Sequence, residues 1–200
     1  GIVVAPYDTE LLGHWWFEGI EWLRQVLIKI SKNPNVELTT LSEYLKNHPP
    51  KYVAEIPESS WGDGGGHYVW LNSHTEWMWS YIHDAEVQME AIAGIFSNKE
   101  IPPDADESRA LKQAAREILL LQSSDWPFLI TTKQANEYAT ERFLLHYNRF
   151  CRIVLALKDN SVSNRDFLEF LTKIEEIDGA FSDIDFRKFA RREPERKDKE

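Results

Sequence analysis

The feature that most constrains this chain is a set of apolar positions that recur every three to four residues over long stretches. Met78, Ile82, Ala85, Met89, Ile92 and Phe96 fall on one helical face, and Leu111, Ala115, Ile118 and Leu121 on another. An earlier stripe runs through Trp16, Ile20, Leu23, Leu27 and Ile30, and a later one through Ala135, Ala139, Phe143, Tyr147, Phe150 and Val154. Helices with one apolar face bury it by packing against each other. The fold expected is therefore mainly α: a bundle of about four principal helices. Ser73-x-x-Glu76, Thr131-x-x-Gln134 and Thr40-x-x-Glu43 each have the spacing of a capping box, and Pro102-Pro103 separates the second stripe from the third. Ser163 to Ile177 and Asp183 to Phe189 read as short C-terminal helices divided by Asp178-Gly179, and the run from Arg191 to Glu200, charged except at Pro194, reads as a disordered tail.

Two segments resist a helical reading. Ile2 to Ala5 is a short apolar, β-branched run with no partner strand in the chain, so Val3 to Ala5 is expected to be extended but orphaned. Pro49 to Asn72 is a long connection between the first and second principal helices. Its tryptophans and other apolar residues favour an ordered loop over disorder, and loops of this length are commonly functional.

Charge and composition narrow the partners. A formal net charge of -10 argues against a nucleic acid or an anionic membrane, both of which select clustered Lys and Arg. No apolar run approaches the roughly 20 residues needed to span a bilayer. The single cysteine, Cys151, cannot close an intramolecular disulfide, which points to a reducing cytoplasm. Six scattered histidines without a His-Glu-x-x-His pair indicate no metal site, and no cofactor motif is present. Gly62 to His67 is glycine-rich but lacks the lysine of a phosphate cradle; it is either a flexible turn or a loop whose backbone approaches a ligand.

Seven of the eight tryptophans lie within the first 79 residues. Such rings serve a core, or they form flat platforms for the apolar faces of sugar rings; composition alone leaves both open. Asp8 follows the apolar run and precedes the aromatic cluster His14, Trp15 and Trp16. A carboxyl desolvated by such neighbours suits a general acid of glycoside chemistry, although an aspartate in a turn is also an ordinary hydrogen-bonding residue.

Four segments carry a family resemblance. APYDTELLGHWWFEG at Ala5 to Gly19, TTLSEYLKNHP at Thr39 to Pro49, SWGDGGGHYVWLN at Ser60 to Asn72 and QSSDWPFLITTKQANEYATERF at Gln122 to Phe143 resemble, in order, motifs of the glycoside hydrolase family 57 α-glucan branching enzymes. The resemblance covers most of Val3 to Phe150. It implies that Asp8 is the catalytic acid/base, that Trp61 and Trp70 guide the glucan chain, and that His14 and Trp15 line the pocket. It also implies that Asp125 and Trp126 belong to a late helical motif folding back towards the site. Leu12 stands where the pattern has Phe, Gly66 where an acidic residue is common, and Lys133 where it has Gly.

The same resemblance implies a larger enzyme in which an N-terminal barrel carries the glutamate nucleophile. Residues 1–13 would be the last barrel strand and catalytic loop, 14–160 the helical domain, 161–190 the short C-terminal helices, and 191–200 the tail. The implied reaction is 1,4-α-glucan branching by a retaining double displacement, with amylose, glycogen or starch as partner and the barrel domain as the other. Retaining chemistry needs two carboxyl groups about 5 to 5.5 Å apart. Only one is assigned to this chain, so it is expected to be inactive alone. An α-amylase or 4-α-glucanotransferase of the same family is the alternative enzyme, and a non-catalytic glucan-binding or interaction domain the alternative of another class.

Overall fold

The computed structural model of the chain describes residues 1–13 and 15–191. His14 and the tail from 192 onwards lie outside the described residues. The chain divides into two compact units, Gly1–Pro57 and Glu58–Glu200. The division falls inside the long connection read from the sequence, where Tyr52, Val53 and Ile56 are exposed.

The second unit is the helical bundle. Its elements are α3 (Glu76–Ser97), α4 (Asp106–Leu121), α5 (Asp125–Thr132), α6 (Asn136–Lys158) and α7 (Arg165–Ile177). The apolar stripes face inwards as their spacing requires: Met78, Met89, Ile92 and Phe96 of α3 meet Leu111, Ala115, Ile118 and Leu121 of α4 and Phe143, Phe150 and Val154 of α6 in one core. Buried alanines (Ala110, Ala114 and Ala115 on α4, Ala139 and Ala156 on α6) accompany the extensive contact between α4 and α6. α5 packs on α6, and α7 covers α4 with Phe167, Leu171 and Ile174.

The first unit holds α1 (Gly19–Ser31) and the short α2 (Leu41–Asn47). Gly19 is its only buried residue among those described, and the apolar stripe of α1 stays half-buried or exposed. Gly19 is required where it stands. A Cβ there would lie 2.9 Å from Leu12 Cδ2 and 3.2 Å from the Trp16 ring. The 3-10 turn Thr9–Leu12 and Trp16 thus press directly onto the start of α1.

Several expectations need correction. The strand at Val3 to Ala5 does not form: no strand occurs among the described residues, and Val3 is 94% exposed. A strand exists through ladder hydrogen bonds to a neighbour, and the chain supplies no partner. Of the three candidate capping boxes, Thr40 alone caps its helix, its hydroxyl accepting from Glu43 N–H at 3.2 Å. Ser73 is displaced as cap by Thr75, which precedes α3. Thr131 sits inside α5, where its hydroxyl bonds elsewhere. Asp183 to Phe189 gives only a 3-10 turn, Phe186–Phe189, because Asp185 caps Arg187 N–H and only one short turn follows. α5 had no stripe long enough to be read, and Pro127 in its first turn masked it.

Candidate functional site

In the first unit, Asp8 is the residue before the Thr9–Leu12 turn; its carbonyl accepts from Leu11 N–H at 3.1 Å and its side chain makes no capping bond. The desolvation expected from the aromatic cluster is not found, since Asp8 is exposed and Trp15 is 70% exposed. The reason is that other rings attract the aromatics. Trp22 on α1 takes Tyr7 edge-on at 5.9 Å and Trp16 at 4.9 Å. The carboxylate of Asp8 thereby stays open to solvent. His14, expected beside it, is outside the described residues.

In the second unit, Glu58 to Thr75 folds into a pinned loop rather than a flexible one. Ser60 N–H donates to Gly65 O at 2.9 Å, the Ser60 hydroxyl donates to Gly66 O, and Gly62 N–H donates back to the Ser60 hydroxyl at 3.0 Å. Gly64 and Gly65 adopt φ values of 65° and 75°, the left-handed region that glycine enters without a Cβ clash. A Cβ on Gly62 would lie 3.1 Å from the Trp70 ring, so this glycine lets Trp70 fold under the turn. The loop also carries His67, whose Nε2 lies 3.0 Å from Glu58 Oε1.

The turn brings Trp61 and Trp70 together. Their rings meet edge-to-face at 5.0 Å and 84°, and Phe128 of α5 lies 5.7 Å from Trp61. Trp70 is half-buried, its carbonyl accepting from the Thr75 hydroxyl at 3.0 Å and from the Trp79 indole at 3.3 Å. Trp61 remains 76% exposed, so one indole face is open to solvent. An exposed tryptophan braced by two other rings is the arrangement that sugar stacking uses, because a rigid flat face loses little conformational entropy when a ring settles on it.

Trp126 goes elsewhere. Its indole donates to Leu120 O at 2.8 Å, and its ring stacks over His146 at 6.3 Å with Tyr138 edge-on at 6.3 Å. Trp126 and Phe128 are two apart on α5 and so project to opposite sides. Asp125 opens α5 exposed, its carboxylate accepting from the Ser123 hydroxyl at 2.8 Å. The structure therefore joins Trp61 to Trp70 and to Phe128, a residue the sequence reading did not single out. The clue available was its place in the same aromatic motif.

A second cluster was not anticipated. Glu117, His146 and Asp178 are buried, with side-chain ligand atoms within 4.8 Å of one another. Their donors and acceptors are already used. Arg142 Nη2 faces His146 Nε2 at 3.0 Å, so Nε2 accepts and Nδ1 donates to Glu117 Oε2 at 2.7 Å. Gln113 donates to Glu117 Oε1 at 2.9 Å, while Asp178 receives Arg149 and, at 3.7 Å, Arg142. Two guanidinium groups balance two carboxylates. A cation would have to displace them, so the donor set fits a structural ion network rather than a metal centre. Its members span α4, α6 and the residue after α7, too far apart in sequence for any motif to connect them.

The fold and this site define a helical domain that presents a braced aromatic platform beside a long, ordered loop. Comparison with known proteins makes the class specific. Residues 81–189 match the family model described as 1,4-alpha-glucan branching enzyme, C-terminal. The chain is 43% identical over 185 residues to a 1,4-alpha-glucan branching enzyme of Thermococcus kodakarensis, covering 92% of this chain and 27% of that enzyme. Among solved structures, it is similar to the GH57-type branching enzyme from Pyrococcus horikoshii, with a TM-score of 0.75 and 43% identity over 97% of this chain and 36% of that one. The α-amylase AmyC from Thermotoga maritima aligns with a TM-score of 0.65 at 34% identity, covering 96% of this chain and 34% of that one. The chain belongs to the C-terminal family of 1,4-alpha-glucan branching enzymes, and spans about a quarter to a third of the length of these relatives.

Proposed function

We propose that this chain forms the C-terminal helical part of an enzyme that cleaves an α-1,4 bond of a glucan and re-forms it as an α-1,6 branch. Within it, Asp8 protonates the leaving oxygen and then deprotonates the acceptor hydroxyl. Its place in the PYD motif supports this role. The observation that carries the glucan reading is Trp61: an indole 76% exposed, yet braced by Trp70 and Phe128. Sugar rings stacked there favour a glucan acceptor over water, since the platform excludes solvent from the face it covers. His14, Trp15 and Asp125 stay assigned to the substrate side through their motifs, whereas Trp126, on the side of α5 opposite Phe128, supports the helix behind the platform.

The nucleophile belongs to a barrel domain contributed by the rest of the parent enzyme, so this chain alone carries out no turnover. The exposed apolar residues of Gly1–Pro57, among them Val3, Phe17 and Ile20, are suited to packing against that domain. The cytoplasm is the compartment that fits a lone cysteine and a glucan substrate; no described helix is long and apolar enough to cross a membrane. The likeness to an α-amylase keeps hydrolysis as the second reading.

Isothermal titration of the chain with maltoheptaose tests the binding half of this reading. Trp61→Ala is expected to weaken binding at least tenfold. Unchanged affinity in that variant would remove the platform as a glucan site.

A further inference from the structure

The ring of Trp61 is mostly exposed, so burial does not hold it in place. What holds the loop that carries it is a set of hydrogen bonds to α5. The Thr131 hydroxyl donates to Val69 O at 2.8 Å and accepts from Asn72 Nδ2 at 2.8 Å. Asn72 Nδ2 also donates to Tyr68 O at 2.7 Å, and Asn72 Oδ1 accepts from His74 N–H at 2.8 Å. The Thr131 hydroxyl thus donates and accepts across the join between helix and loop, while the Asn72 amide reaches Thr131 with one bond and ties the loop to itself with the other two. Thr131 and Phe128 are three apart on α5, so the hydroxyl clamp and the ring behind Trp61 project from one face of the same helix. On the loop side, the clamped carbonyl of Val69 directly precedes Trp70, and Asn72 follows two residues later.

We propose that Asn72 and Thr131 are positioning residues for glucan binding: their hydrogen bonds lock the loop onto α5 and thereby set the relation between the Trp61 and Trp70 rings before substrate arrives. The proposal rests on the reading of Trp61 as a stacking platform. Neither residue needs to touch sugar. Their contribution is preorganisation, which raises affinity by removing the ordering that a loose loop would undergo on binding. A clamp built of two part-buried hydrogen bonds, one of them from the buried Asn72 amide, is suited to this because leaving that amide unpaired is costly, so the loop has one strongly preferred position.

The test uses Thr131→Val, which keeps the side-chain shape and deletes both bonds, and Thr131→Ser, which keeps the hydroxyl. Asn72→Asp is the second probe, since it retains the acceptor for His74 N–H but loses the donor to Thr131 and to Tyr68 O. Maltoheptaose affinity is measured by titration, and loop order by hydrogen–deuterium exchange of the amides from Ser60 to Leu71 in the absence of sugar. Thr131→Val is expected to weaken affinity about tenfold and to speed exchange in this loop while α3 stays protected, with Thr131→Ser close to the parent in both. If Thr131→Val does not fold, Asn72→Asp is expected to give the same pair of changes. Faster melting with unchanged affinity in these variants would reduce the clamp to a structural role and overturn the proposal. Trp61→Ala is run beside them to separate the two ideas. Affinity lost with Trp61→Ala but kept with Thr131→Val refutes the clamp alone, whereas affinity kept with Trp61→Ala refutes the platform on which it rests.

Discussion

Removing Glu117 tests the account of the bundle interior most severely. Glu117 and His146 are both fully buried, and Glu117→Ala leaves the His146 Nδ1–H and the Gln113 amide without acceptors. It also leaves Arg142 and Arg149 opposed only by Asp178, one carboxylate against two guanidinium groups. Breaking a buried pair from one side costs about 3–5 kcal/mol, because the partners keep their desolvation cost and lose their compensation. For a chain of this size each kcal/mol shifts the melting temperature by about 2–4 °C, so a fall of roughly 6–20 °C is expected. Urea unfolding followed by tryptophan fluorescence and circular dichroism measures the loss, with Arg142→Met in the Glu117→Ala background as control. That double variant removes the surplus guanidinium and should recover part of the loss, since Arg149 and Asp178 remain paired. A loss below about 1 kcal/mol for Glu117→Ala would refute the network as described.

Other perturbations follow from particular geometries. Lys133 ends α5 in the left-handed conformation, φ 58°; Lys133→Gly should raise stability by about 0.5–1 kcal/mol in urea unfolding, the relief of Cβ strain exceeding the added chain entropy. Gly19→Ala should destabilise the first unit by about 1–3 kcal/mol through the clash with Leu12 and Trp16, read from Trp fluorescence, and Leu12→Ala should restore part of it. The Glu21 carboxylate is held down at about 2, from an ordinary 4.5, by hydrogen bonds from Arg24 and then Gln25. Its support of α1 is thus present above about pH 4.5 and lost as pH falls through about 2, which a carbon-13 titration of the Glu21 side chain checks. Burial raises the Cys151 thiol, so it should react slowly with a disulfide reagent near pH 8 and quickly once urea unfolds the chain.

The sequence by itself determined the periodic elements. Apolar residues at helical spacing marked faces to be buried, and α3, α4 and α6 bury them, whereas the stripe of α1 stays half-buried or exposed. It also made the motif positions visible: Trp61 and Trp70 were singled out together, and the structure puts their rings in contact. Gly19 and Gly62 could be seen in their motifs, but their reason could not, because close approach of Leu12 or Trp70 is a property of the folded chain.

Tertiary structure alone decided the rest. Local spacing offered Thr131 as a helix cap, yet Val69 and Asn72, some sixty residues earlier in the chain, claim its hydroxyl. Adjacency in the sequence set Asp8 beside aromatic residues, yet Tyr7 and Trp16 pack on Trp22 and the Asp8 carboxylate is exposed. Glu117, His146 and Asp178 meet only because α4, α6 and the end of α7 converge. Periodicity records which face of an element must leave water; it carries no record of which distant hydrogen-bonding group or ring will meet that face, and here those meetings set the charge network and the aromatic platform.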